Sequence, residues 1–360
     1  MEYRSLGRTG IQVSPLCLGA MMFGGWGEPD HSTSIATIHA ALDAGINFID
    51  TADAYSQGES EIIVGKALAG GRRDDVVLAT KAHMQMGVPL EAPPGTKGDP
   101  NKRGNSRRWL VTEVENSLRR LNTDWIDLYQ IHRPDPTTDI EETLATLTDL
   151  VRQGKIRAFG CSMFPAEQVV EAHHVAERRG LSRFRTEQPP YSLLARWIET
   201  SVLPVCQQYG MGVLTFGPLA SGFLSGRFRK DQPIDLSTGR AALTPSRFDP
   251  TVPANVAKYE AVEQLVALAE DIGCTLPELA VAFPIAHPAV TSVIIGPRTM
   301  EQLETLLKGA SLTLDDATLD RIDEIVPPGT NLYQEHGPWT PPVLTDASLR
   351  RRPLADRAAS

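Results

Sequence analysis

Four side chains in this 360-residue chain have the types needed to place a proton on a carbonyl oxygen: Asp50, Tyr55, Lys81 and His132. Two of them close the stretch INFIDTADAY, which starts like a buried strand and then carries Asp50, Asp53 and Tyr55. An unpaired carboxylate is costly to bury, so these acids need solvent or a cationic partner. Lys81, at the end of the apolar run VVLATKA, can pair with Asp50. A phenol has an ordinary pKa of about 10 and is a weak acid at neutral pH. An adjacent ammonium stabilises the phenolate, and the expectation is that it draws this pKa down towards the working range. Tyr55 would then donate the proton, Lys81 would stabilise the anion left behind, and Asp50 would fix the ammonium. His132, as a neutral ring, would orient the incoming carbonyl. The set contains no obvious covalent nucleophile, and the carbonyl carbon still needs a hydride. That requirement points to a nicotinamide cofactor.

For the four to converge, the chain must deliver them to one place. Short apolar runs recur at 15–21, 46–52, 76–82, 126–132, 157–162, 184–191, 212–219 and 291–296. Helical spacing fills the gaps: Leu110, Val114, Leu118 and Leu121 form one stripe, and Val262, Leu265, Val266, Leu268 and Ala269 another. Gly45, Gly154, Gly180 and Gly210 each punctuate a helix just before the next strand, and Gly273 offers a similar stop. Strands apolar on both sides and separated by helices imply a parallel sheet covered on both faces. Eight such units predict an α/β fold, a closed (β/α)8 barrel, as a single domain over 1–360. A hairpin at EYRSLGRTGIQV precedes it, with turn signals at Gly7 and Thr9-Gly10. No G-x-G-x-x-G follows the first strand, which argues against the open dinucleotide-binding sheet.

In such a barrel the active face lies at the C-terminal strand ends. Asp50, Lys81, His132 and Ser162 end their runs, Gln188 lies in the sixth, and the seventh leads into FGPLASGFLSG. Two segments stand outside the rhythm: the long polar loop from Met84 to Arg108, and a Pro-rich tail from Pro327 to Ser360. Both are expected at the active face, where long loops shape pockets.

Composition narrows the field. The chain is 41% hydrophobic and 22% charged, with net charge −9 and a pI near 5.5, so no broad basic surface for nucleic acid is expected. Cys17, Cys161, Cys206 and Cys274 form no C-x-x-C pair and no zinc spacing, and read as free thiols in a reducing compartment. MEYRSLGRTG lacks an apolar signal core and no window approaches a membrane span, so a cytoplasmic location is expected, with no metal.

GINFIDTADAY followed by GESE, the segment LATKA, and SLRRLNTDWIDLYQIHRPD occur in this order and together resemble the aldo-keto reductase family. The resemblance covers nearly the whole chain. It implies an NADPH-dependent carbonyl reductase, with NADH as the alternative cofactor and a small aldehyde or ketone as substrate. Asp50, Tyr55, Lys81 and His132 match the family's catalytic positions. By the same resemblance Gly19, Met21, Asp50 and Met163 lie along the cofactor, Ser162 and Gln188 hold the nicotinamide carboxamide, and Phe216 stacks on the ring. Gly217, Pro218, Leu219, Ser221, Gly222, Gly226 and Arg227 would cover the pyrophosphate. Gly296, Arg298 and Gln302 match the adenosine-phosphate segment, and a guanidinium suits a 2′-phosphate. Departures from the family pattern are Met163 in place of a common Asn, Leu306 likewise, Thr305 in place of an acid, and Ala20 in place of a Thr.

Tyr55, His132 and Trp26 are the candidate substrate contacts, with Phe23 and Tyr191 as further aromatic candidates for a pocket. His173 and His174, in a polar helix, read as surface residues. A nicotinamide-loaded regulatory module, like the β subunits of potassium channels, is the alternative function. A metal-dependent hydrolase would need clustered ligands at strand ends, and His132 is the lone strand-end histidine.

Overall fold

In the computed structural model, which describes residues 1–357 apart from 90, 91, 94, 231, 233, 235, 237–240 and 243, the eight apolar runs are eight strands. Residues 90, 91 and 94 of the long loop and 358–360 of the tail lie outside the described residues. A hairpin of β1 (Arg4–Ser5) and β2 (Gln12–Val13) comes first. The barrel strands follow: β3 (Leu16–Gly19), β4 (Phe48–Asp50), β5 (Val77–Ala82), β6 (Ile126–Ile131), β7 (Ile156–Ser162), β8 (Thr186–Gln188), β9 (Gly212–Phe216) and β10 (Val290–Ile295). They pair in parallel and in chain order, and β10 closes on β3 through Val293 opposite Leu16. This is the expected (β/α)8 barrel.

The helices between them are α1 (His31–Asp43), α2 (Glu59–Ala67), α3 (Arg107–Leu121), α4 (Ile140–Arg152), α5 (Ala166–Arg179) and α6 (Val202–Tyr209). After β9 come α7 (Val256–Asp271) and α8 (Leu276–Ala286), and after β10 α9 (Met300–Ser311) and α10 (Asp316–Ile325). Both sequence stripes are buried: Leu110, Val114, Leu118 and Leu121 of α3, and Val262, Leu265, Val266, Leu268 and Ala269 of α7. Each fully buried side chain of this kind contributes about 1.5–3 kcal/mol. Gly180 and Gly210 cap α5 and α6 in the left-handed conformation, φ 62° in both.

Strand alternation then decides what faces the barrel axis. Cys17, Phe48, Ala79, Leu128, Ala158 and Leu214 form an apolar layer, and Leu6 and Val13 of the hairpin plug it from below. Two residues further along β4, β5 and β6, the same face carries Asp50, Lys81 and Gln130. The interior is thus greasy at the bottom and polar at the top.

Some expectations fail here. His173 is buried, not superficial: its ring lies 4.2 Å from that of Tyr209 and its Nε2 is 3.3 Å from Met211 Sδ. Helical periodicity puts it on the same side as Val169, Ala172 and Ala176, which the surrounding polarity obscured. Only His174 is exposed. Phe23 is buried in the core, and Tyr191 is buried against Phe283 with its hydroxyl donated to Glu199, so neither is a rim aromatic.

Candidate active site

At the barrel mouth Lys81 is wholly buried, and its Nζ donates to Asp50 Oδ2 at 2.6 Å, to the Thr51 carbonyl at 2.8 Å and to the Tyr55 hydroxyl at 3.1 Å. Register explains the meeting, because Asp50 sits opposite Ala79, two residues before Lys81 on the neighbouring strand. Asp50 Oδ1 accepts from Gln188 Nε2 at 2.9 Å and Gln130 Nε2 at 3.3 Å, so both carboxylate oxygens are satisfied. Tyr55 follows in a short turn, its ring 5.7 Å from His132 and 6.2 Å from the exposed Trp26. The four residues read from the sequence, with Trp26 beside them, are therefore together.

Electrostatics correct one expectation. Burial raises the Tyr55 pKa above its ordinary value, and the Lys81 ammonium offsets that only in part. The phenol is thus firmly protonated. Burial works to lower the pKa of Lys81, but Asp50 and Tyr55 outweigh it and the net shift is upward, so the amine stays charged. His132 goes far below the usual histidine range, because it is buried and faces Lys81 and Arg133. It is neutral, as expected, and its Nδ1 is buried without a hydrogen-bond partner among the described residues.

Ser162 Oγ donates to the Gln188 carbonyl at 2.8 Å, and Gln188 in turn holds Asp50, so the two predicted carboxamide residues are tied to the ion pair. Met163 sits at φ 62°. Beyond Phe216, the chain turns through Gly217, Ala220, Ser221, Gly222 and Gly226, all at positive φ. Of the non-glycine residues at positive φ, Ser56, Gln57, Met163, Ala220 and Ser221 all lie on the loops around this mouth. Strain of this kind collects at ligand clamps, and it is a signal the sequence did not carry. Pro218 is buried, while Gly19, Met21 and Leu219 are partly exposed along the same rim and Arg227 is exposed. Further round, Gly296 and Arg298 are exposed after β10, and the Gln302 side chain accepts from Arg298 N at 2.8 Å. Thr299 caps α9 there. A Cβ added at Gly222, Gly226 or Gly296 would meet nothing within 4 Å, so this side of the mouth is open.

Four residues of the site were not anticipated. Gln130 was readable, since alternation from His132 turns it inward. Glu187, Arg133 and His336 were not. Glu187 is buried beside Gln188 and accepts from Phe164 N at 3.1 Å, so it fastens the loop that holds Met163. His336 belongs to the tail and packs its ring 5.6 Å from Phe216, against Gly217, while Trp197 Nε1 donates to its carbonyl at 2.6 Å. At Gly217, φ 70°, an added Cβ would fall 2.4 Å from the His336 ring, so the glycine also makes room for the tail.

Among the described residues there is no cluster of histidine, cysteine and acidic groups fit to hold a metal. No helix among them is long and apolar enough to cross a membrane. The model of the aldo/keto reductase family matches residues 15–327. The chain is 39% identical over 333 residues to the aldo-keto reductase YhdN of Bacillus subtilis, covering 91% of this chain and 94% of that one. It is 38% identical over 334 residues to an uncharacterized oxidoreductase of the same organism, YrpG, covering 91% and 96%. A probable voltage-gated potassium channel subunit beta of Oryza sativa is 34% identical over 336 residues, covering 91% and 97%.

Proposed function

The chain belongs to the aldo/keto reductase family of oxidoreductases, and from that premise we propose that it reduces the carbonyl of a small aldehyde or ketone with NADPH. One observation carries the reading: a single buried ammonium bonds a carboxylate and a phenol at once. Bound NADPH supplies the hydride for the carbonyl carbon. Tyr55 gives its proton to the carbonyl oxygen as the alkoxide forms, leaving a phenolate that accepts from Lys81. Asp50 keeps that ammonium charged and aimed. With Nδ1 buried and lacking an acceptor, the proton of neutral His132 is best carried on Nε2, from which it orients the carbonyl oxygen. Solvent then restores the Tyr55 proton and the alcohol leaves.

The residues present fit a nicotinamide dinucleotide. The open glycine turn from Gly217 to Gly226 suits a pyrophosphate, and Phe216, partly exposed at the mouth, suits a flat ring. Arg298 has no ion-pair partner among the described residues and lies beside the N-terminus of α9, which supports a 2′-phosphate there.

Titration with NADPH followed by a panel of carbonyls tests the reading. Tyr55→Phe should still bind NADPH but lose about 10²–10⁴ in kcat/KM, the usual worth of a positioned proton donor. Turnover at the wild-type rate in that variant would remove Tyr55 from its role. Arg298→Ala should weaken NADPH about 10–100-fold, in line with the loss of a charge-assisted contact, and NADH much less. Equal losses for both would exclude recognition of the 2′-phosphate by Arg298. The resemblance to potassium channel β subunits keeps a regulatory role in view, and NADPH binding without turnover of any carbonyl would favour it.

A further inference from the structure

Arg133 follows His132 directly, yet the chemistry above makes no use of it. Its guanidinium is partly buried, and its one hydrogen bond among the described residues runs from Nη1 to the carbonyl of His132 at 2.6 Å. Most other arginines half-sunk in this protein are answered by carboxylates, Arg183 and Arg185 being exceptions. Arg73 meets Asp127, Arg120 meets Glu61 and Glu113, Arg196 meets Glu199 and Asp323, and Arg229 meets Glu263. Arg4, which has none, bonds two carbonyls, those of Ile285 and Val290. Among the described residues no carboxylate forms an ion pair with Arg133.

Neither acid near it bonds the guanidinium, although Glu187 Oε2 is buried without a hydrogen-bond partner among the described residues. Asp135 turns its oxygens to Asn105, Thr137 and Thr138. Glu187 bonds Phe164 N, and burial pushes its carboxyl up to about 7, which makes it a weak counter-ion near neutrality. A cation withdrawn from water without a partner is expensive. Burial accordingly lowers the Arg133 pKa, opposed by Tyr55 and Glu187. The same charge bears on Tyr55 and on His132, so the guanidinium lies within electrostatic reach of both.

We propose that Arg133 is the missing half of an ion pair whose other half arrives with the substrate. The site would then take carbonyl compounds bearing a carboxylate or phosphate, with Arg133 holding that anion while the carbonyl meets Tyr55 and His132. A guanidinium suits either anion because its planar fork of donors matches both. This deepens the reductase reading and rests on it.

Paired substrates test it in the presence of saturating NADPH. 4-Formylbenzoate is compared with its neutral methyl ester, and glyceraldehyde 3-phosphate with glyceraldehyde. The wild type should favour the anion of at least one pair by about 10–100-fold in kcat/KM, the worth of a charge-assisted contact, mainly through KM. Whichever pair shows the preference names the anion. Arg133→Gln should collapse that ratio, and Arg133→Lys should keep part of it. Terephthalate, which has no carbonyl to reduce, should bind the wild type in calorimetry and not Arg133→Gln. Ratios near one in the wild type, or a ratio unchanged in Arg133→Gln, overturn the proposal. So does a variant that loses NADPH affinity while keeping its substrate ratio, because Arg133 would then serve the cofactor. If Arg133→Gln does not fold, the wild-type ratios and terephthalate binding decide alone. If no carbonyl is reduced at all, the reductase reading fails on its own, and terephthalate binding still decides the role of Arg133.

Discussion

Asp50 and Asp53 are three residues apart in one stretch of chain and both are buried, yet they live in opposite chemical settings. Asp50 faces into the barrel and accepts from Lys81, Gln188 and Gln130. Asp53 lies on the other side of the loop, near Glu61 of α2 and Glu113 and Arg120 of α3. There, among the described residues, its carboxyl accepts only from Ala54 N at 2.6 Å, and its Oδ2 has no partner. Three carboxyls thus share one guanidinium, which donates to Glu61 at 2.6 Å and to Glu113 at 2.5 Å. Burial, reinforced by Glu113 and Glu61, drives the Asp53 pKa far upward and leaves it protonated. The mouth keeps its charges by pairing them, whereas the scaffold behind it sheds a charge that it cannot pair. That second cluster sits directly behind the Tyr55 turn. Gly58, φ 95°, lets the chain pass over Arg120, where an added Cβ would fall 2.6 Å from Arg120 Cδ.

The largest effect should come from breaking the paired side. Asp50→Asn leaves a buried ammonium without its counter-charge, a loss on the order of 3 kcal/mol where one partner of a buried pair is removed. The Lys81 pKa should fall with it, and kcat/KM should drop by about 10²-fold or more as support for the Tyr55 phenolate weakens. Thermal melts and steady-state kinetics read the two losses. A variant with wild-type melting temperature and turnover would mean that the pair does not hold the site.

Glu187 gives an intermediate case, a buried carboxyl raised to about 7 by desolvation. Its folded pKa exceeds its unfolded one, so the folded state binds the extra proton. Wild-type stability from this group is therefore complete below about 4.5, is lost as pH rises towards 7, and levels off above. Glu187→Gln escapes that loss while keeping an acceptor for Phe164 N. It should match the wild type near pH 5 and exceed it by about 2–3 kcal/mol at pH 8. Denaturation at the two pH values checks this, and a variant less stable at pH 8 would show that the carboxylate is wanted.

Much of this was legible in advance, for physical reasons that particular residues illustrate. The eight strands show because each is apolar on both faces, and Asp50, Lys81 and His132 show because each ends such a run. The hairpin follows from turn residues, but its place beneath the barrel layer does not. What could not be read depends on segments far apart in sequence. The neutrality of Asp53 needs burial and Glu113, sixty residues on, to fold near it and outweigh the opposing pull of Arg120. The upward shift of Tyr55 depends on how far the fold withdraws its hydroxyl from water, which composition does not report. His336 reaches Phe216 only because the tail runs back past Leu194, whose carbonyl accepts from Leu332 N at 2.8 Å. His173 was misjudged because the helix around it is polar on average although that one face is not.

Asp53→Asn should change turnover least, and it is the sharpest test of the contrast with Asp50. An asparagine has nearly the shape of a protonated aspartate, and its Oδ1 can still accept from Ala54 N. Since Asp53 donates nothing to the mouth, kcat/KM should stay within about threefold of wild type, within the range for residues outside the reacting geometry. The stability comparison carries a sign. The folded pKa of Asp53 lies above its unfolded value, so the wild type becomes less favourable with rising pH as the unfolded chain ionises there and the folded one does not. The asparagine variant has no such penalty. Its melting temperature, relative to wild type, should therefore climb between pH 5 and pH 8. A relative melting temperature that stays flat over the same interval would mean that Asp53 is ionised against Arg120, because folded and unfolded chains would then both be ionised there throughout. The two aspartates would then differ in partner only, not in charge.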